Sequence, residues 1–139
     1  MHRELMRDHD GLRGLMRDFR HLMERARPED MPEIARLRIR FSQAFRAHLA
    51  QEDMLVRDMQ RRPMAAEGQQ VVRVHGRAMT ALFLRYSDHI KEWTPARIAA
   101  DWAGYRKAVL DLQTGLHERM EWEEEHLHPL LAPPTRRAA

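Results

Sequence analysis

The chain has no cysteine. That excludes disulfides, thiolate metal sites and a thiol nucleophile. It has only six glycines, and nowhere do apolar and polar residues alternate over the length of a half-buried strand. No apolar run approaches the roughly 20 residues that a membrane-spanning helix needs, and no secretion signal stands at the N-terminus. A soluble cytoplasmic protein with no membrane contact is therefore expected. Lysine is nearly missing: Lys91 and Lys107 stand alone among 24 basic residues. The arginines that replace it do not cluster. They alternate with acids, as in Arg3-Glu4, Arg7-Asp8 and Arg17-Asp18, and the net charge is only +3. Nucleic-acid binding calls for a concentrated basic face, so that class is set aside and the arginine excess is read as a base-composition bias of the source genome.

What the chain does have is helical periodicity. Its 139 residues, 43% of them hydrophobic, suit one domain with a full core. Four amphipathic segments are separated by proline. The first runs from about Arg3 to Arg27, with Leu5, His9, Leu12, Met16, Phe19 and Met23 on one face. Pro28 and Pro32 break it, and Asp30 with Glu33 resembles a capping box. The second runs to about Gln60 and ends before Pro63. The third covers roughly Met64 to Glu92, with Val72, His75, Met79, Leu82, Tyr86, Ile90 and Trp93 inward. Thr94-Pro95 reads as an N-cap and first helical turn. The fourth segment follows, with Ile98, Trp102, Tyr105, Val109, Leu112 and Leu116 inward, and should fray near Pro129. The expected fold is all-α, an antiparallel up-down-up-down four-helix bundle over residues 1–131. Residues 132–139 read as a disordered tail.

The polar residues on the buried stripes carry the functional signal. With Phe41 at zero and about 100° per residue, His48 falls at about −20° and Glu52 at about +20°. Both point at the core. An unpaired buried carboxylate costs several kcal/mol, so Glu52 needs either a metal ion or a hydrogen-bonded, ion-paired network. His9 and His75 sit on the stripes of their own helices, and facing helices can bring them to one layer with His48 and Glu52. Imidazole with carboxylate suits iron, zinc or manganese.

The fourth segment holds an ambiguity. His117 and Glu121 repeat the spacing of His48 and Glu52. With Leu116 at zero, however, they fall at about +100° and about +140°, away from the core, whereas Glu123 falls at about −20° and Arg119 at about −60°. The inward carboxylate should then be Glu123. A local π-bulge would turn His117 back inward. The other histidines read as bland: His2 and His21 solvent-facing, His89 at the edge of its stripe, His126 and His128 on a solvated helix end. The stripe methionines read as core filler, and Trp93 and Trp102 as packing for the turn between the last two segments.

The arrangement resembles the hemerythrin-like HHE cation-binding family. The resemblance rests on Asp8-His9-Asp10-Gly11-Leu12, on Phe45-Arg46-Ala47-His48-Leu49-Ala50-Gln51-Glu52-Asp53, and on the acidic stretch from Glu123 into Leu127-His128-Pro129-Leu130, which is similar to the family's Leu-aromatic-Pro-Leu ending. It implies metal ligation by His9, His48, Glu52, His75 and Glu123, with His117 and Glu121 as the alternative pair on the last helix. It also puts Arg119 where the family has a ligand histidine. A full ligand set implies a non-heme di-iron centre that binds or senses oxygen, iron or redox state, with oxygen or another small exogenous ligand and a protein signalling partner. A guanidinium cannot ligate a metal, so Arg119 leaves a second reading open: a metal-free interaction bundle in which Arg119 pairs with the core carboxylates. Histidine phosphotransfer ranks last, because no histidine is followed by the small and basic residues such domains show. No substrate is indicated. A binding or sensing domain, monomeric or homodimeric, is expected rather than an enzyme.

Overall fold

The structure, a computed structural model, describes residues 2–25 and 27–131. The expected tail at 132–139 and the side chain of His2 lie outside the described residues. Everything described is helix or short connection, with no strand among the described residues. Helix α1 spans His2–Arg25, α2 Met31–Gln60, α3 Ala66–Glu92, α4 Pro95–Ala100, α5 Trp102–Trp122 and α6 His128–Leu131. A 3-10 turn over Pro28–Asp30 leads into α2, and a π turn over Glu123–Leu127 joins α5 to α6. No helix among the described residues is long and apolar enough to cross a membrane.

Local chemistry accounts for most boundaries. Thr94 caps α4, its hydroxyl accepting from Arg97 N–H at 3.2 Å, with Pro95 in the first turn where no N–H is needed. The last long segment is not continuous. It breaks at Asp101, whose carboxylate accepts from Gly104 N–H at 3.0 Å and so starts α5 afresh. A Cβ on Gly104 would run into the Asp101 carboxylate, so any larger residue there would push the cap aside. The capping box expected at Asp30 does not form. Asp30 makes no side-chain cap; it accepts instead from Arg27 N–H at 2.9 Å and closes the 3-10 turn.

Buried side chains form three apolar layers. One joins Phe19, Leu22 and Met23 of α1 to Ile34 of α2, Trp93 after α3, Ile98 of α4 and Tyr105 and Val109 of α5. The middle layer joins Leu12, Met16, Phe45, Leu82, Tyr86, Leu116 and Met120. Its rings interlock: Phe45 lies 5.8 Å from Phe41 and 5.2 Å from Tyr86, centroid to centroid. Removing a ring such as Phe45 from this layer costs about 3–5 kcal/mol. The third layer joins Leu5, Val56, Val72, Leu127 and Leu131. Ile90, expected inward, is exposed at the far end of α3.

Between the middle and third layers lies a level that is not apolar. His9, His48, Glu52, His75, Glu123 and His128 are all buried there. Apolar layers seal it on both sides.

Candidate metal centre

Each polar side chain of this level stands where its helix would otherwise place an apolar one. His9 lies between Leu5 and Leu12 on α1, and His48 and Glu52 lie between Phe45 and Val56 on α2. His75 lies between Val72 and Leu82 on α3, and Glu123 between Met120 and Leu127. The side chains converge. One donor atom from each of His9, His48, Glu52 and Glu123 lies within 4.8 Å of all the others. His9 Nε2 is 3.0 Å from His48 Nε2 and 3.1 Å from Glu123 Oε1, and His48 Nε2 is 2.9 Å from Glu52 Oε2. His75 closes the level from α3, with Nε2 3.0 Å from Glu52 Oε1 and Nδ1 3.5 Å from Glu123 Oε2.

The outer nitrogens fix what the inner ones offer. His9 Nδ1 donates to Glu124 Oε2 at 2.7 Å, and Glu124 is itself held by Arg13 Nη2 at 2.8 Å. Burial alone would raise the Glu124 carboxyl; Arg13 and His9 hold it below the usual carboxylate range. His48 Nδ1 donates to Asp8 Oδ2 at 3.1 Å. With Nδ1 protonated, a neutral imidazole presents the bare lone pair of Nε2. Two such lone pairs 3.0 Å apart, beside two carboxylate oxygens, repel unless a cation sits among them. Carboxylates that hold the far nitrogen of a histidine are the usual support of metal-binding imidazoles.

Without metal, protons take the cation's part. Burial works to lower the pKa of His48, yet Glu52, Asp8 and Glu123 pull it up to about 9. Burial would raise Glu52, but His128, His48 and His75 hold its carboxyl far below the usual range. Even so, neither Glu52 oxygen has a partner in hydrogen-bonding geometry, although three imidazole nitrogens lie within 3.9 Å. Short N···O distances without hydrogen-bond alignment fit donors aimed at a shared point. The residues therefore fit a metal ion with mixed imidazole and carboxylate ligation.

The profile of the hemerythrin HHE cation-binding domain matches residues 1–131. The chain belongs to that family. No curated protein and no solved structure shows a significant match to it. Membership in a hemerythrin HHE family implies cation binding, and the His/Glu cluster is where this hemerythrin-like chain offers it.

Of the residues singled out in the sequence, His9, His48, Glu52, His75 and Glu123 come together at one level. His117 and Glu121 do not join them. His117 is only partly buried and Glu121 is exposed, and burial, with the charges of Arg13 and Arg20, lowers the His117 pKa against the pull of Glu121. Arg119 reaches the edge of the cluster. Its Nε is 3.6 Å from Glu123 Oε2 and its guanidinium lies 4.1 Å over the Trp122 ring. Burial lowers the Arg119 pKa against the pull of Glu123 and Glu52, and a guanidinium remains charged all the same.

His128 corrects the sequence reading. Expected on a solvated helix end, it is fully buried, its ring 4.8 Å from that of His9 and its Nε2 3.9 Å from Glu52 Oε2. The cause is the π turn, which lies at Glu123–Leu127 rather than near His117. His128 N–H bonds Glu123 O, five residues back instead of four. One extra residue in the turn rotates everything after it by about 100°. Leu127 stays buried, Leu131 turns in, and Leu130 turns out to 40% exposure. Pro129 supplies the reason: it has no N–H to give Glu125 O, and its ring would crowd that carbonyl in a regular α turn. The sequence signal was there, since His128 stands in the aromatic position of a Leu-aromatic-Pro-Leu ending.

Proposed function

We propose that this chain is a non-heme iron-binding domain that binds or senses oxygen, iron or redox state. The observation that carries the reading is the convergence of His9 Nε2, His48 Nε2, Glu52 and Glu123 within 4.8 Å, with both outer imidazole nitrogens held by carboxylates. The three apolar layers support an antiparallel up-down-up-down arrangement of the four long segments. The end of α1 meets the start of α2 in one layer, and the start of α1 meets the end of α2 in another.

When bound, iron would supply one-electron redox chemistry and a position for a small exogenous ligand. The protein's own part is to fix the donors and control access. His9 and His48 are held in one tautomer by Glu124 and Asp8, and Leu12, Phe45 and Met120 keep bulk water from the middle of the bundle. Glu52 and His75 also line a groove of about 530 Å³ between α2 and α3, bordered by Leu49, Val56, Met79 and Phe83. A small ligand reaches the level of the carboxylates by that route.

The metal-free alternative draws on one contact, the approach of Arg119 Nε to Glu123 Oε2 at 3.6 Å. Protein produced in iron-supplemented medium separates the two readings by elemental analysis and a visible spectrum. Stoichiometric iron with ligand-to-metal absorption is expected. Iron far below one per chain with a featureless spectrum overturns the iron reading and leaves the ion-paired bundle.

A further inference from the structure

We propose that the cluster takes one metal ion per chain, on the side of His9 and His48, and that Arg119 is a built-in cation standing where a second ion would otherwise be shared by the same carboxylates. The inference rests on the iron-binding reading above.

Glu52 and Glu123 each face two ways. Toward one side, Glu52 Oε2 lies 2.9 Å from His48 Nε2, and Glu123 Oε1 lies 3.1 Å from His9 Nε2. Toward the other side, Glu52 Oε1 lies 3.0 Å from His75 Nε2, and Glu123 Oε2 lies 3.5 Å from His75 Nδ1 and 3.6 Å from Arg119 Nε. Two bridging carboxylates would thus offer oxygens to two ions. The nitrogen donors, however, are not shared evenly.

On the first side, two imidazoles present lone pairs, and their spacings match a common ion. In octahedral coordination, donors with bonds of about 2.1 Å sit about 3 Å apart when adjacent and about 4 Å apart when opposite. His9 to His48, His48 to Glu52 and His9 to Glu123 give 3.0, 2.9 and 3.1 Å, and His9 to Glu52 gives 4.0 Å. The π turn adds a third imidazole, His128, on this side, with Nε2 3.9 Å from Glu52 Oε2.

The second side has one imidazole. His75 Nε2 lies 3.0 Å from Glu52 Oε1 and its Nδ1 lies 3.5 Å from Glu123 Oε2 without hydrogen-bond alignment, and His75 is not among the four residues whose donors converge within 4.8 Å. Its companion is Arg119, which has no lone pair to give. A second divalent ion would lie beside a guanidinium already at the shared Glu123 oxygen, in a buried level where like charges repel far more than in water. Arg119 instead supplies positive charge to the outer oxygens permanently. Against the ligand pattern the chain resembles, an imidazole is missing at Arg119 on one side of the carboxylate pair and one stands at His128 on the other.

Anaerobic titration of the metal-free full chain with ferrous iron, followed by desalting and elemental analysis, tests this by counting ions. One iron per chain is expected for the wild type and for the exposed control Glu121→Ala, none for His9→Gln, two for Arg119→His, and at least tenfold weaker binding for His128→Phe. Two irons in the wild type overturn the inference while leaving iron binding intact, and an iron retained in His9→Gln overturns the side assigned to it. One iron in a folded Arg119→His overturns the role given to Arg119. If that variant does not fold, the wild-type count and His9→Gln decide. No iron in the wild type overturns the iron-binding reading itself, and with it this inference.

Discussion

His9 Nδ1 lies 2.7 Å from Glu124 Oε2, and the same carboxylate is gripped from its other flank by Arg13. A residue of the π turn thus sets the tautomer of a histidine from the first helix, more than a hundred positions away in sequence. Glu124→Ala leaves His9 free to rotate and to place its proton on either nitrogen. Metal affinity should fall by about 10–100-fold, measured by competition against a chromophoric chelator. Asp8→Asn should act in the same direction through His48 but less, because Asp8 is partly solvated. Asp53→Asn, on an exposed carboxylate paired with Arg57, is the control that should leave affinity unchanged. Equal affinities for Glu124→Ala and wild type would remove the carboxylate–histidine support from the argument.

Glu123 and Glu121 make opposite predictions from nearly the same sequence position. Glu123 is buried among the converging donors, and Glu121 is exposed. Glu123→Ala should therefore abolish stoichiometric metal in the purified protein, while Glu121→Ala should change affinity by less than about twofold. Metal content by elemental analysis, with a circular dichroism spectrum to show that both variants fold, reads the result. Loss of metal in Glu121→Ala alone would mean that the last helix presents a different face.

These contrasts show what the sequence made legible. Period and punctuation located every long helix, because apolar stripes at 3–4 spacing and a Thr94-Pro95 cap act over a few residues. The same wheel set Glu123 against Glu121, because α5 is regular up to Trp122. It failed immediately afterwards. A constant angle per residue cannot represent a π turn, so His128, expected on a solvated helix end, is buried, while Leu130 is exposed and Leu131 buried. The break at Asp101 escaped for a related reason: an Asp with Gly three residues on is a cap signal inside an otherwise continuous stripe. The tautomer-setting carboxylates Asp8 and Glu124 could not be assigned from spacing at all, since their partners lie on other helices.

The π turn itself can be removed. Glu125 is exposed and lies within the turn. Deleting it removes the one extra residue, so a regular α turn then carries His128 and Leu131 on the faces they already hold. Helix content, metal affinity and thermal stability should stay close to wild type. Inserting one Ala after Glu125 instead rotates the following residues by about a further 100°. Metal affinity should then fall by about tenfold or more and thermal stability should drop, because Leu131 leaves the third layer as the histidine leaves the carboxylates. If the insertion variant binds metal as well as wild type, the register of His128 has no bearing on the site.

A pH signature belongs to a histidine far from the metal level. His89 lies over the Tyr105 ring with centroids 5.9 Å apart. Burial first, then the charges of Arg38 and Arg85, push its pKa down to about 4, from an ordinary value of 6.5. The folded protein keeps His89 neutral while the unfolded chain protonates it, so between these two values the unfolded state binds more protons. Stability then rises with pH across that window. The stabilising contribution is complete above about pH 6.5 and is lost as pH falls toward 4. In the metal-free protein, chemical denaturation at pH 7 and pH 4.5 should show a larger loss for wild type than for His89→Gln, whose amide has no charge to gain. The difference between the two proteins isolates His89 from the buried imidazoles and carboxylates that titrate in both. Identical pH dependence in the two would mean that His89 is already solvated enough to protonate in the folded state.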